Sequence, residues 1–362
     1  MLPRRPLASR ACKLLTAEYN QRIQLRLSEH WREIMNPIGV GFLDLNPEGL
    51  FHLERMRLRP DFRCLAGWGC GPDRSMAHGM LERVALSPQE LLDDPRISLL
   101  WIGPQADSKL MGSAQDAGKQ VLIGLPVSTP LSVWKSSISP RASGLAAQLF
   151  VATLHRWDSS FLTVQQLVRN GELGPMIDVR RISRQYVPVE RALNPAATCN
   201  SGEDGVALPV LQEAHRVQQI KWFEMLDELL QLVPDPVVSV FSQAVGTGRC
   251  VSLEFATGCR AWLELNRHSL APLETGWVLD GRLAGFSAGK RFRPSTDHEL
   301  IDVPVEELPT DQVAFYDALV ATIRNGDRGA SAVTHESIQR VLELLESMEQ
   351  SNLTGQTVIV RI

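Results

Sequence analysis

Short apolar runs and helix-spaced stretches alternate through the first half of the chain. Ile38 to Leu43 is apolar throughout, which suits a strand buried on both faces. Leu50 to Leu58 has helix-compatible spacing. Phe62 to Trp68 is a second apolar run, ended by Gly69, Gly71 and Pro72. Ser87-Pro88-Gln89-Glu90 reads as a helix start, with Ser87 as N-cap, Pro88 in the first turn and Glu90 closing a capping box. Ile97 to Ile102 predicts a third strand, Lys109 to Ala117 a helix and Gln120 to Leu125 a fourth strand. Strands separated by helices imply a parallel sheet with right-handed crossovers. Residues 36–150 therefore read as a doubly wound, nucleotide-binding type of domain.

The pattern changes afterwards. Phe161 to Val168 predicts a helix closed by the turn Asn170-Gly171. Met176 to Val187 alternates as a strand does. Ala214 to Leu232 is a long helix with Ile220, Phe223, Leu226, Leu229 and Leu230 on one face. Val237 to Val245, Cys250 to Phe255 and Arg260 to Leu265 are rich in β-formers, with a hairpin turn at Thr257-Gly258. Helical spacing returns in Val313, Tyr316, Val320 and Ile323 and again in Ile338, Val341, Leu345 and Met348, before a closing strand over Thr357 to Ile362. Residues 151–362 thus read as an α+β domain with an open, largely antiparallel sheet. Pro195 to Gly205 is the least patterned stretch.

Composition narrows the function. The chain has 362 residues, a net charge of -4, 44% hydrophobic and 22% charged residues. Two domains and a sizeable core follow from that length. The slight acidity argues against nucleic acid, which needs a concentrated basic surface. No apolar run approaches the roughly 20 residues of a membrane-spanning helix. Cysteines 12, 64, 70, 199, 250 and 259 have no zinc-ligand spacing. They read as buried thiols of a cytoplasmic protein, and no metal site is expected. Residues 1–35 form a polar, partly basic extension without a secretory signal. Met35 directly precedes the first strand and is one reading of the true start.

Several segments, in order, resemble the glucose–fructose oxidoreductase / inositol dehydrogenase (Gfo/Idh/MocA) family. Asp93-Asp94-Pro95-Arg96-Ile97-Ser98 is similar to its "DP-x-V-D", and Asp116-Ala117-Gly118-Lys119-Gln120-Val121 to its "EAGKHV". Arg156-Trp157-Asp158 followed by Gly171-Glu172-Leu173-Gly174 resembles its "R-F-x-P … G-x-I-G". Phe315-Tyr316-Asp317-Ala318-Leu319 through Gly326 resembles its C-terminal "F-x-x-A-I … G". The resemblance runs from about Ile38 to Ile362. It implies an N-terminal Rossmann domain, a C-terminal open-sheet domain, NAD or NADP as cofactor, and redox chemistry on a sugar or polyol. It also implies homo-oligomers built through the C-terminal sheet, where Val251, Leu253, Phe255, Trp262, Leu263 and Leu265 would offer apolar surface.

At the sites themselves the chain departs from the family. The three glycines of the phosphate loop fall on Asp44, Asn46 and Gly49, so only the third remains. A carboxylate at Asp44 facing the pyrophosphate would cost about 4 kcal/mol, about three decades of affinity. The acid that would hold the ribose falls on Gly69, and Arg74 nearby is a candidate contact for a 2′-phosphate. Gly103 and Pro104 after the third strand, and Pro126 after the fourth, complete the cofactor-binding positions that the resemblance implies. The family's catalytic "E-K-P" reads Gly124-Leu125-Pro126, and leucine moves no proton. Its motif "D-x-G-x-H-x-x-D-x-x-x-W" puts His215 on the histidine and Trp222 on the tryptophan, with Leu211 and Gln218 on the two acids. His215 is the one candidate catalytic group, with an ordinary pKa of about 6.5. Two readings stand: a binding or scaffold protein that has lost catalysis, or a working NAD(P)-dependent enzyme with an altered site. A non-redox sugar-binding or lyase role is a third possibility without named residues.

Overall fold

The computed structural model describes residues 36–43, 45, 47–69, 79–103, 108–125, 132, 149–184, 207–245, 248–266, 275–297, 299–305, 311–325 and 335–360. The extension at 1–35 with Met35, and the stretch Pro195 to Gly205, lie outside them.

A six-stranded parallel sheet is built from β1 (Ile38–Leu43), β2 (Phe62–Trp68), β3 (Arg83–Val84), β4 (Leu99–Ile102), β5 (Gln120–Ile123) and β6 (Leu149–Val151), in the order β3-β2-β1-β4-β5-β6. Helices α1 (Pro47–Arg57), α2 (Pro88–Asp93) and α3 (Ser108–Asp116) alternate with these strands. Every residue of β1 is buried, as its unbroken apolar run predicts for a strand covered on both faces. Gly39 is needed there for close approach. A Cβ at that position would lie 1.9 Å from the Arg96 carbonyl oxygen. The capping box at Ser87 does not form. Its side chain makes no cap bond, and the Glu90 carboxylate instead takes a hydrogen bond from Arg83 at 3.0 Å. A nearby guanidinium outcompetes a neutral backbone amide for that carboxylate.

The second sheet has nine strands, ordered β14-β13-β12-β11-β7-β10-β9-β8-β15. They are β7 (Met176–Arg184), β8 (Val237–Val245), β9 (Gly248–Phe255), β10 (Arg260–Asn266), β11 (Thr275–Gly281), β12 (Gly285–Ser287), β13 (Lys290–Phe292), β14 (Ile301–Asp302) and β15 (Val358–Ile359). Among the described residues its pairings are antiparallel except β10 with β7, which run parallel in register Trp262↔Arg180. A single 3-10 turn (Leu154–Trp157) leads into α4 (Ser159–Arg169). Asp158 caps that helix by accepting from the Phe161 amide at 2.9 Å. The remaining helices are α5 (Ala207–Leu232), α6 (Asp311–Asn325) and α7 (His335–Thr354). Helix α5 begins seven residues before the expected start at Ala214, because Pro209 is tolerated in a first turn. The expected turns form with positive φ, 70° at Gly171 and 83° at Gly258.

By packing, the chain divides into two compact units: Met1–Gly103 with Ala117–Lys119, and Pro104–Asp116 with Gln120–Ile362. The first has a core around Val40, Phe42, Leu53, Met56 and Trp101. The second is centred on Phe161, Trp222, Phe223, Leu226 and Tyr316. Val251, Leu253, Phe255, Leu263 and Leu265, expected as apolar surface, are all buried, at most 2% exposed. Side chains alternate across a strand, so these point into the core while Trp262, 42% exposed, points out. Among the described residues, no helix is long and apolar enough to cross a membrane.

Candidate functional site

Two regions could carry function. The first is the end of β1 and β4, where the strand order reverses between β2-β1 and β4. In sheets of this order, ligands bind outside the carboxyl ends of the strands at this switch point. The Gly103 amide donates to the Leu43 carbonyl at 3.1 Å, tying these two strand ends together. Gly49 is buried in the first turn of α1, where it allows close packing. That turn also carries Glu48, an acid where an anion would seek the positive end of the helix. Gly69, just past β2, is exposed with φ of 71°, a left-handed conformation that favours glycine over an acidic side chain. Leu125 follows β5 and is 7% exposed. Asp44, Asn46, Arg74, Pro104 and Pro126 lie outside the described residues, as does the side chain of His215, whose backbone belongs to α5.

Two of the segments that resemble the family hold the fold. Asp94 is buried and accepts from the Arg96 amide at 3.0 Å and from its guanidinium at 2.8 Å, while Arg83 reaches it at 3.2 Å. The Arg96 hydrogen bonds hold its carboxyl well below the usual range, against the opposing effect of burial. Lys119 is 7% exposed and donates its Nζ to the Asp94 and Ile97 carbonyls at 2.7 and 2.8 Å. Burial lowers its pKa, against the attraction of Asp94 and Asp93. Lys119 is therefore spent on the lead-in to β4.

The second region is a cavity of about 540 Å³ inside the nine-stranded unit. Helix α4 contributes Phe161 and Val164, sheet strands contribute Arg181, Trp277 and Phe286, and α5 contributes Lys221, Glu224 and Glu228. The helical spacing of the last three puts them on one face of α5. His155 and Asp158, beside the 3-10 turn, complete the polar wall. Behind that wall Asp227, 1% exposed, gathers His155 Nε2 at 2.7 Å and Arg156 Nε at 2.6 Å. Burial works to raise the Asp227 carboxyl, but Arg156 and then His155 hold it down at about 2. Glu228, 3% exposed, lies 3.4 Å from Arg181 Nε without a proper hydrogen bond on either atom. Burial pushes its carboxyl up. Arg181, His155 and Lys221 pull the other way, and Glu224 adds to the rise. The Arg181 guanidinium sits over the Trp277 ring, 5.2 Å from its centre. Lys221 Nζ donates to Glu224 at 2.8 Å.

Sequence reading missed Glu224, Asp227 and Glu228. On the sequence alone, acids at helical spacing beside an apolar face read as a solvated helix face, so no local signal separated these three. Among the described residues no group of three or more His, Cys, Asp or Glu could hold a metal. Cys64, Cys250 and Cys259 are free and buried, and burial pushes the Cys64 thiol up to about 12.

No protein-family model matches the chain. A stretch of 93 residues is 36% identical to YdgJ, an uncharacterized oxidoreductase of Escherichia coli; it covers 25% of this chain and 27% of that protein. Solved structures match far more of the length at low identity. An NAD-binding protein from Listeria innocua superposes with TM-score 0.68 at 18% identity, covering 89% of this chain and 96% of that one. A scyllo-inositol dehydrogenase from Lactobacillus casei, solved with NAD(H) and scyllo-inositol, gives 0.66 at 15% over 89% and 99%. A myo-inositol dehydrogenase from Corynebacterium glutamicum gives 0.64 at 17% over 90% and 99%. The chain therefore has the two-sheet fold of Gfo/Idh/MocA-type oxidoreductases.

Proposed function

We propose that the chain is a small-molecule binding protein on this oxidoreductase fold that no longer transfers hydride. The observation that carries the reading is Leu125, a buried leucine at the position of the family's catalytic lysine. Of the two lysines that could stand in, Lys221 is engaged by Glu224 and Lys135 lies outside the described residues. The described residues supply the helix end at the switch point but no side chain at Gly69 to hold a ribose. Asp44 and Asn46 in place of the first two glycines of the phosphate loop support the same reading from the sequence. The ligand expected by resemblance is a small sugar or polyol. The test is to incubate the purified protein with NAD⁺ or NADP⁺ and a panel of polyols and sugars, following nicotinamide absorbance. No turnover above buffer is expected. Saturable reduction that disappears in His215→Ala would overturn the reading.

A second reading, a working NAD(P)-dependent enzyme, is favoured by the retained strand order at the switch point and by Gly49 buried in α1. In it Asn46, Gly49, Gly69, Arg74, Gly103, Pro104 and Pro126 would line the cofactor. Thermal-shift titration separates the two. A dinucleotide at about 100 times its Kd adds about 2.7 kcal/mol of stability, a shift of several degrees. Under either reading, copies of the chain pair through the outer face of the nine-stranded sheet.

A further inference from the structure

We infer that the cavity of the nine-stranded unit recognises a small polyhydroxylated amine, an amino sugar or amino polyol, with Glu228 and Glu224 anchoring its ammonium group. The inference rests on the binding reading and narrows it to a chemical class.

Charge selects the ligand. Asp158, Glu224 and Glu228 line the cavity together with Arg181 and Lys221, so carboxylates outnumber guanidinium and ammonium groups. Asp227, directly behind, is balanced by Arg156 and shared with His155. Both cations are already engaged, Lys221 by Glu224 at 2.8 Å and Arg181 by Glu228 at 3.4 Å and by the Trp277 ring. A phosphate or carboxylate ligand would have to displace these partners and then lie among three carboxylates. One ammonium instead brings the lining to neutrality.

Hydrogen bonding selects the same ligand. Glu228 is buried, and its ion pair with Arg181 leaves Oε2 without a hydrogen bond. A buried carboxylate short of donors is costly, and an ammonium brings three. Glu224 and Glu228 are four residues apart on α5, so their Cβ atoms are roughly 6 Å apart and one ammonium can reach both. The Trp277 indole N–H, also buried, has no acceptor and matches a hydroxyl oxygen. Phe161, Phe286 and the Trp277 ring give the apolar walls that the C–H face of a sugar ring needs. A volume of about 540 Å³ is ample for one such ring.

The test is calorimetric titration of the full chain, without dinucleotide, with D-glucosamine, D-glucose, D-gluconate and D-glucose 6-phosphate. Glucosamine should bind at least about tenfold tighter than glucose, and the two anions should bind more weakly than either. Glu228→Gln, nearly isosteric, should remove the preference for the amine while circular dichroism shows the fold intact. Glu224→Gln, on the more exposed carboxylate, gives the same readout if Glu228→Gln fails to fold. Equal binding of glucosamine and glucose, tighter binding of an anion, or no binding of any of the four would overturn the inference. Because no cofactor is present, the outcome is independent of the hydride-transfer assay. Turnover there with an amine preference here would sink the first reading and leave this one standing.

Discussion

His52 lies in α1 with its ring centre 4.3 Å from that of Trp101. It is 1% exposed, and burial lowers its pKa to about 3. The folded state therefore prefers the neutral ring. Its contribution to stability is full above pH about 6.5 and is lost as pH falls towards about 3, on the order of 4 kcal/mol across that window. Replacing it with leucine, His52→Leu, should flatten urea stability over that range relative to the parent protein; an unchanged pH profile would contradict this. Asp227 loses stability in the same direction but for a different reason: the fold favours its charged form. Its depressed carboxyl contributes stability above pH about 4 that is lost as pH falls through about 2. Asp227→Asn leaves the Arg156 guanidinium, 10% exposed, without its counter-charge and should cost about 3–5 kcal/mol at neutral pH in denaturant titration. A loss below about 1 kcal/mol would mean that Ser337, whose Oγ already accepts from Arg156 at 3.4 Å, or water takes over the guanidinium. Neither role was visible from local pattern. The Asp227 partners come from 71 and 72 residues earlier, and helical spacing alone reports only that Asp227 lies beside an apolar face.

Among the elements, those with strong periodicity were legible. The all-apolar β1 and the alternation in β7 were plain in the sequence, because burial on two faces or on one leaves different patterns. Four strands from Thr275 to Asp302 were not, since β12, β13 and β14 span two or three residues each, too few for a period to show. The β12–β13 turn lacks the usual turn residue in its first place as well. Ala288 there has φ of 51°, followed by Gly289 at 75°, the two-residue geometry that normally calls for Asn or Gly in both places. Alanine in that conformation carries about 1–2 kcal/mol of strain. Ala288→Gly should relieve it and, after the entropy of a freer unfolded chain, raise stability by about 0.5–1 kcal/mol. Thermal unfolding at fixed pH checks this, and a lower midpoint would show that the alanine methyl is needed for packing.

For the whole molecule, pairing of copies is proposed to use the outer face of the nine-stranded sheet. That face is more polar than expected: Arg180 stands in register beside Trp262, and Arg184 pairs with Glu264 at 2.7 Å. Trp262 is the large apolar group it presents among β9 and β10. An exposed tryptophan among charged neighbours has the makings of an interface anchor worth 2 kcal/mol or more. Light scattering should show a dimer at micromolar concentration and a dissociation constant raised at least about thirtyfold in Trp262→Ala. A monomeric parent protein would refute the proposal.

The same sheet finishes at both margins in its briefest strands, β14 and β15, two residues each. At the second margin β15 pairs with only Ser239 and Val240 of the nine-residue β8, and the Ser242 amide beyond them donates to Ser351 Oγ of α7 at 2.9 Å. Among the described residues, short outermost strands and a covering helix thus leave a neighbouring chain little edge to extend, while stacking face to face stays available.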